Sequence, residues 1–527
     1  MGNKVLFLNG IFGEMSISEP LGICVLASVV RKKGFQEISI YDPCVEGDSI
    51  EKAVQYVLDC QPDILAISVI GTDPSDVHKF IQQFRTKNKN SIIVIGGHGP
   101  SLCPERFIID DVTGIFIGES EVTWPLFLQA INDGENIHSV SGFAYKNNDG
   151  VLMINDPPKK IENLDELPFM ARDTLPLLIK KYGKNVSAQM LSSRSCYMNC
   201  SYCSIKSFSR LQEGKVYRER SVDSIIEEIK YLYYEFGIRK IKFADDNFIP
   251  PNPVQAKQKI DRFYEKIIDN NMTDIHFHIQ CRPDNIKIDL LQKLMHIGMN
   301  SLFIGVESIN QEDLDMYHRV GNPEKTYWIM DELNKIGISC NINSKVRMKL
   351  GYITFNPYST RETLSKSVNF LRKYQITPKK LLNIIKPYYK TPIYDILNEN
   401  YLLLSDNTIR FIDSDIGVLY STIKEIMGSI LAFRERIRLP IKMHFKLNIG
   451  SYHSELDDFR KAIDNMCFDV FEELLNADIS EFSLIKQKYY EKISAMKSDA
   501  NIMKILDCVE SELGIDKNSS KIVHNIS

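Results

Sequence analysis

The chain has 527 residues, of which 44% are hydrophobic and 25% charged, the balance of a globular protein with roughly two to four domains. Its net charge of −4 excludes strong electrostatic attraction to nucleic acid or anionic membranes. The longest mostly apolar runs, such as residues 24–30 and 64–70, fall short of the ~20 residues of a membrane-spanning helix. The opening residues, MGNKVLFLNG, lack the basic-then-apolar pattern of a secretion signal. We therefore expect a cytoplasmic protein with neither nucleic-acid nor membrane partners.

Short apolar strands alternate with amphipathic helices from the N-terminus to about residue 135. Strands are predicted at residues 4–9, 38–41, 63–69, 91–95 and 114–117, and helices at 21–33, 49–60, 74–87 and 121–132. Continuously apolar strands separated by helices are typical of a parallel sheet covered on both faces. Residues 1–135 are therefore predicted to form a doubly wound, five-stranded Rossmann-like domain. In such domains ligands bind beyond the carboxyl ends of the strands.

Small and polar residues gather at those carboxyl ends. They are Asn9 and Gly10 after the first strand, Ser68, Gly71, Thr72 and Asp73 after the third, Gly96, Gly97, His98 and Gly99 after the fourth, and Gly118, Glu119 and Ser120 after the fifth. Glycines at these positions let a ligand approach the backbone closely. The alternative is that they only form tight turns, and the pattern favours the ligand site.

A second α/β domain follows a linker. Residues 136–185 are predicted to form a hairpin and linker, with the turn sequence NNDG at 147–150. Strands are then predicted at 186–191, 240–243, 275–280, 301–305, 346–355 and 381–386, separated by helices at 223–236, 253–269, 289–297, 311–317, 324–336 and 359–374. Six βα units, fewer than the eight of a closed barrel, predict a partial (β/α)6 TIM-type barrel over residues 186–399. Residues 400–527 are predicted to form a mainly helical C-terminal cap.

Three of the eleven cysteines are clustered directly after the first barrel strand. Cys196, Cys200 and Cys203 have the spacing C-x3-C-x2-C. An odd number of cysteines in a long chain without a secretion signal argues against a disulfide framework. Three thiolates need a fourth ligand to complete a zinc site, whereas on a cubane iron–sulfur cluster they leave one iron free for another molecule. The spacing favours the cluster, with zinc and three unrelated thiols as the alternatives.

The cysteine motif, with Tyr202 before its last cysteine, resembles the signature of the radical S-adenosylmethionine superfamily. Further matching stretches are ADDNF at 244–248, CRPD at 281–284, GVES at 305–308, FNPYST at 355–360 and TPIY at 391–394. In the N-terminal domain, PLG at 20–22, GGH at 96–98 and GESE at 118–121 resemble the cobalamin-binding domain found in front of such barrels. The resemblance covers about residues 1–400, and it identifies the chain as a cobalamin-dependent radical S-adenosylmethionine enzyme.

This resemblance implies three cofactors and a residue set for each. The three clustered cysteines would hold a 4Fe–4S cluster, whose open iron binds the amino and carboxylate groups of S-adenosylmethionine. The residues implied to contact S-adenosylmethionine are Tyr202, Asp245, Asp246, Arg282 and Glu307. The residues implied to contact cobalamin are Asn9, Ser68, Gly71, Thr72, Gly96, Gly97, His98, Gly118 and Glu119. Acidic and basic side chains suit the ammonium and carboxylate of S-adenosylmethionine, although Asp-Asp at a strand end can also be a helix N-cap.

The cobalt is expected to lack a histidine ligand from the protein. One cobalamin-binding family supplies such a histidine from a D-x-H-x-x-G motif after the first strand, and this chain has none there. Asp76 and His78 lie in a similar segment, but Ile81 replaces the glycine and the segment follows the third strand. We therefore expect His78 to be a helix-face residue. His98, at a strand end, is expected to be a loop residue near the ligand rather than a metal ligand.

The resemblance also implies an activity. An external one-electron donor of the flavodoxin or ferredoxin type would drive cleavage of S-adenosylmethionine, and cobalamin would deliver a methyl group to an unactivated carbon of a small-molecule substrate. One alternative is a radical cyclisation or rearrangement without methyl transfer. Another is a non-catalytic iron–sulfur or corrinoid carrier or sensor. The polar residues at the barrel strand ends disfavour a carrier, which would not need them.

Overall fold

The computed structural model describes residues 3–341, 343–405, 408–447 and 453–513. Contacts group residues 3–303 and 388–394 into one compact unit, and residues 304–387 and 395–513 into a second. The sequence-based domain boundaries at 135, 185 and 399 follow a different division and stay predictions.

A seven-stranded sheet forms the N-terminal part of the first unit. Its strands are β1 (Val5–Asn9), β2 (Ile38–Tyr41), β3 (Ile64–Ser68), β4 (Ile92–Gly96), β5 (Gly114–Phe116), β6 (Phe143–Lys146) and β7 (Leu152–Ile154), in the order β2-β1-β3-β4-β5-β6-β7. Strands β1 to β5 are parallel, as predicted. The predicted hairpin is present as β6 and β7, which pair antiparallel beside β5 and extend the sheet from five strands to seven.

Helices cover both faces of this sheet. They are α1 (Leu21–Lys32), α2 (Ile50–Cys60), α3 (Ser75–Lys87), α4 (His98–Leu102) and α5 (Thr123–Asp133). The next helix, α6 (Leu175–Tyr182), packs instead in a separate cluster with Val186 and Ala188. In α2, the Ser49 hydroxyl accepts a hydrogen bond from the Lys52 amide and caps the first turn. Ala53, Val54 and Val57 then recur at helical spacing and are buried against the sheet. Apolar clusters on both faces of the sheet confirm the doubly wound architecture.

The barrel-like sheet has six strands. They are β8 (Ser187–Met190), β11 (Lys240–Phe243), β12 (His276–Cys281), β13 (Met299–Glu307), β14 (Ile338–Ser339) and β15 (Val346–Tyr352), in the order β14-β15-β13-β12-β11-β8. Two short strands, β9 (Ser193–Arg194) and β10 (Arg218–Glu219), pair antiparallel outside this sheet. The helices are α7 (Ser204–Ser209), α8 (Val222–Glu235), α9 (Pro253–Asp269), α10 (Ile288–His296), α11 (Gln311–Met316), α12 (Pro323–Lys335) and α13 (Arg361–Lys373). Five of the six predicted barrel strands are therefore present.

The prediction of a sixth strand at residues 381–386 is wrong. A 3-10 helix occupies Pro378–Leu382, and only a single bridge joins Phe355 to Ile384. Pro378 has no N–H to offer a strand ladder, and its fixed φ suits the first position of a helical turn. The two-residue strand β14 completes the sheet instead.

The C-terminal part is helical, as predicted, with α14 (Pro392–Glu399), α15 (Ser414–Leu447), α16 (His453–Asn476), α17 (Phe482–Lys497) and α18 (Ala500–Leu513). Within the described residues, Ser414–Arg438 of α15 is the single segment long and apolar enough to cross a membrane, which the sequence analysis did not foresee. Ile416, Leu419, Ile423 and Ile430 recur every three to seven positions along α15 and are buried. These residues form one buried stripe along the helix, and 39% of the apolar segment is buried.

Candidate active site

A cavity of about 520 Å³ lies in the first unit, beyond the carboxyl ends of β1, β3, β4 and β5. One part of its wall comes from the seven-stranded sheet, at Asn9, Ser68 and Gly97. Another part comes from the segments after β8 and β11, at Ser195 and Asp246. The cavity therefore connects the predicted cobalamin-binding edge with the loop that carries the cysteine motif.

Two positions at this edge require glycine because of a positive φ and a close neighbour, which is backbone at Gly97 and the Gln212 side chain at Gly118. Gly97 has φ +105°, and a β-carbon there would lie 2.4 Å from the carbonyl oxygen of Val69. Gly118 has φ +78°, and a β-carbon there would lie 2.5 Å from Oε1 of Gln212. Other residues are strained at such φ values. These glycines let the backbone pack closely at this edge and add no side chain of their own to the cavity wall.

The structure brings together seven of the nine residues predicted to contact cobalamin. Those lining the cavity are Asn9, Ser68, Gly96, Gly97, His98, Gly118 and Glu119. Gly71 and Thr72 do not line it. A β-carbon at Gly99 would overlap the Gly71 carbonyl, at 1.7 Å, so Gly71 packs against the backbone of α4 instead.

Glu119 contributes to a network rather than offering a free carboxylate. Its oxygens accept from Arg218 and, at 3.0 Å, from Arg194. Arg194 also pairs with Glu121 at 2.7 Å. Since Arg194 lies two residues before Cys196, this network ties the cysteine loop to the end of β5. The sequence analysis missed Arg194, whose only signal is its place inside the SRSC stretch.

His98 lines the cavity as a neutral ring. It stacks on Phe208 of α7, with 4.7 Å between ring centroids. Burial lowers the pKa of His98 to about 4, so the ring is uncharged at neutral pH. Its Nε2 is buried and has no partner among the described residues. His78, by contrast, lies on α3 outside the cavity lining, with Nε2 3.4 Å from the Phe107 carbonyl.

The cysteine loop begins just after β9. Ser195 has φ +64°, which turns the chain sharply into Cys196. Cys200 is buried, Cys196 and Cys203 are half-buried, and none of the three is in a disulfide. The Cys203 amide donates to the Cys200 carbonyl at 3.3 Å, and α7 starts at the next residue. The loop is thus compact and holds three reduced sulfurs.

The three thiols lie close enough to influence one another. The pKa of Cys203 is raised to about 12, chiefly by burial, with smaller upward contributions from the neighbouring Cys200 and Cys196 and a downward one from the Ile205 amide. Burial likewise raises the pKa of Cys196. A bound metal would offset this cost, because thiolates are the form that binds metal.

The number of thiolates distinguishes a cluster from a zinc site. Cys196, Cys200 and Cys203 are free cysteines and supply three. Zinc needs four ligands around one ion, whereas a cubane distributes three thiolates over three different irons. The donor set therefore fits an iron–sulfur cluster.

The adjacent aspartates at the end of β11 have different environments. Asp245 is fully buried and accepts hydrogen bonds from the Ser192 amide at 2.7 Å, the Ser192 hydroxyl at 2.6 Å and the Ser193 amide at 2.8 Å. Asp246 is exposed to the cavity, where desolvation by the surrounding protein and the neighbouring Asp245 raise its pKa to about 6. Asp245 therefore fixes the loop after the strand, and of the two aspartates only Asp246 lines the cavity. Contact of either with S-adenosylmethionine stays a prediction.

Arg282 reaches the cysteine loop. It is buried, with Nη1 3.5 Å from Sγ of Cys200, and its Nε donates to Asp284 at 3.1 Å. Tyr202, inside the loop, is half-buried. Glu307 belongs to the second unit, where it ends β13 with φ +69° and its carbonyl accepts from the Ile353 amide at 2.7 Å. Contact of Tyr202 and Glu307 with S-adenosylmethionine stays a prediction.

Two family models match separate parts of this chain. A model of the radical SAM superfamily matches residues 190–352, and a model of the B12 binding domain matches residues 16–128. A relative named uncharacterized methyltransferase PH0819, from Pyrococcus horikoshii, is 27% identical over 400 residues, covering 75% of this chain and 82% of the relative.

Two solved structures share the fold. The cobalamin-dependent S-adenosylmethionine radical enzyme OxsB, with aqua-cobalamin and S-adenosylmethionine bound, matches with a TM-score of 0.75 and 18% identity, over 99% of this chain and 82% of that one. The radical S-adenosylmethionine methyltransferase TsrM from Kitasatospora setae, with cobalamin and a [4Fe-4S] cluster bound, matches with a TM-score of 0.57 and 16% identity, over 76% and 75%.

Proposed function

Because the chain belongs to the cobalamin-dependent radical S-adenosylmethionine family, we propose that it transfers a methyl group to an unactivated carbon of a small molecule. The observation that carries this proposal is the shared wall of one cavity, which Gly97 and Gly118 line from one side and Ser195 and Asp246 from another. When bound, the 4Fe–4S cluster, S-adenosylmethionine and cobalamin supply the one-electron chemistry and the methyl group.

The residues of this chain then hold and orient these groups. Cys196, Cys200 and Cys203 supply the three thiolates, and the buried Arg282 lies beside them with a positive charge that favours the thiolate form. Asp246 offers a carboxylate to the ammonium of S-adenosylmethionine. Gly97 and Gly118 would hold the corrin at this wall by letting it approach the backbone closely.

The methyl-transfer proposal is favoured over its alternatives by the names of the relatives. PH0819 and TsrM are both named methyltransferases. A carrier or sensor would not need Asp246 at a strand end facing the cavity. A one-electron donor of the flavodoxin or ferredoxin type and a cytoplasmic location are part of the same proposal, since the cluster chemistry requires a reductant and excludes oxygen.

The products of S-adenosylmethionine distinguish methyl transfer from cyclisation. The full chain is reconstituted without oxygen with iron and sulfide, loaded with hydroxocobalamin, and given a reductant and methyl-labelled S-adenosylmethionine. Methyl transfer should yield deoxyadenosine and S-adenosylhomocysteine and place the label in a candidate metabolite. All three products are measured by mass spectrometry. Deoxyadenosine without S-adenosylhomocysteine or transferred label would contradict the proposal.

The cluster assignment has a matched control in the same chain. Cys200→Ala should lose the cluster, measured as bound iron and sulfide, together with deoxyadenosine formation. Cys60→Ala, at a half-buried cysteine outside the loop, should retain both. Equal iron and sulfide in the two variants, or zinc in the purified protein, would refute the ligand assignment.

A further inference from the structure

Four strands of the barrel-like sheet carry a row of polar side chains within the first unit. Lys242 of β11 lies in register with Gln189 of β8 on one side and with His278 of β12 on the other. Nδ1 of His278 is 3.0 Å from the hydroxyl oxygen of Ser301, on β13. Residues in register on neighbouring strands point to the same face of a sheet. These side chains therefore share one face at one level of the sheet.

The neighbours of Lys242 show which face this is. Phe243, the next residue along β11, packs against Phe263 of α9, with 6.1 Å between ring centroids. Because successive side chains of a strand point to opposite faces, Lys242 points away from that helix. Gln189, in register with it on the next strand, lines the cavity. Lys242 therefore lies on the inner face of the sheet, one strand away from the cavity wall.

Lys242 brings a positive charge to this face without an anion to balance it. The side chain is half-buried, its Nζ is accessible, and no described residue pairs with it or accepts a hydrogen bond from it. Burial lowers the pKa of Lys242, and no neighbouring charge offsets that effect. The more deeply buried Lys259 is paired by contrast, with Nζ 2.8 Å from a carboxylate oxygen of Glu219. A largely buried cation without a partner is costly unless a ligand supplies the anion.

We propose that the substrate carries an oxyanion, a phosphate or a carboxylate, and that Lys242 binds this group on the inner face of the barrel-like sheet. The ammonium offers three N–H donors, and His278 and Ser301 place further hydrogen-bonding groups in the same row. This inference rests on the proposed function, since an anion held there is a substrate group only if the reaction takes place in the same barrel. It deepens that function by naming the substrate class.

The test measures anion binding without turnover. The full chain carries the cluster, S-adenosylmethionine and hydroxocobalamin, so the carboxylate and phosphate groups of the cofactors already occupy the sites that they need. Equilibrium dialysis then follows radiolabelled inorganic phosphate and radiolabelled acetate in separate experiments. At least one of the two should bind, and Lys242→Gln should weaken that binding at least about tenfold. Tighter binding of phosphate assigns a phosphorylated substrate, and tighter binding of acetate assigns a carboxylic acid.

Lys240→Gln is the matched control. Lys240 lies two residues earlier on β11, in register with the exposed His276, and its replacement should leave anion binding unchanged. A second measurement needs no variant: the bound anion should slow acetylation of Lys242 in the wild-type chain, but not of Lys240, as resolved by tandem mass spectrometry. Failure of both anions to bind or to protect Lys242, or equal weakening by the two substitutions, would overturn the proposal. Methyl transfer is judged separately from its own products, so either inference can fail alone.

Discussion

Replacing the two adjacent aspartates at the end of β11 should separate folding from ligand binding. Asp245→Ala leaves two backbone amides and one hydroxyl, of Ser192 and Ser193, without their buried acceptor. Each unpaired buried donor costs ~1–3 kcal/mol, so a loss of at least ~3 kcal/mol is expected. Asp246→Ala removes a side chain that faces the cavity, and it should cost less than ~1 kcal/mol.

Two measurements test the expected difference in stability between the two variants. Urea unfolding should show a lower midpoint for Asp245→Ala alone, and hydrogen exchange should show faster exchange of the segment that carries the Ser192 and Ser193 amides. Asp246→Ala should keep the wild-type midpoint but lose affinity for S-adenosylmethionine, measured by equilibrium dialysis. Equal destabilisation by the two substitutions, or unchanged exchange in Asp245→Ala, would refute the division of roles.

Two further predictions concern the cavity wall. Gly97→Ala should lower both thermal stability and cobalamin retention after desalting, because its β-carbon would clash with the Val69 carbonyl; Gly71→Ala, where a β-carbon meets nothing within 4 Å, should change neither. Burial lowers the pKa of His98 from 6.5 to about 4. Between these pH values the unfolded chain binds more protons than the folded chain. The stability that the neutral ring contributes is therefore lost as the pH falls from 6.5 to 4. His98→Phe, which keeps the stack on Phe208, should lose less stability over that range in pH-dependent unfolding; an identical pH profile would contradict the assignment.

The α/β alternation and the cysteine motif were predictable because each depends only on residues close together in the sequence. Strand β3 is a run of apolar residues, and C-x3-C-x2-C needs only local spacing. The hairpin β6–β7 was predicted from its turn, but a turn does not say that the hairpin pairs with β5. Its addition to the sheet depends on an edge that only the folded domain presents.

The buried charge networks could not be predicted in the same way. Glu19 and Arg172 lie 153 positions apart, and nothing in the sequence marks them as partners. Likewise, Asp245 and Asp246 are identical residues side by side. The loop after β11 turns one side chain inward and the other to the cavity, and the sequence Asp-Asp does not say which is which.

Three sets of protein contacts hold the segment that enters the cysteine loop: the pairing of β9 with β10, the ion pairs of Arg194, and the hydrogen bonds of Asp245. Metal capture and chain folding are then separable events, unlike in a zinc finger, where the ion is what folds the peptide. The segment that enters the loop would then be formed before a cluster is bound. Restoring the cluster after oxidative loss of iron would for the same reason need a new supply of iron and sulfide, and the chain would not have to refold.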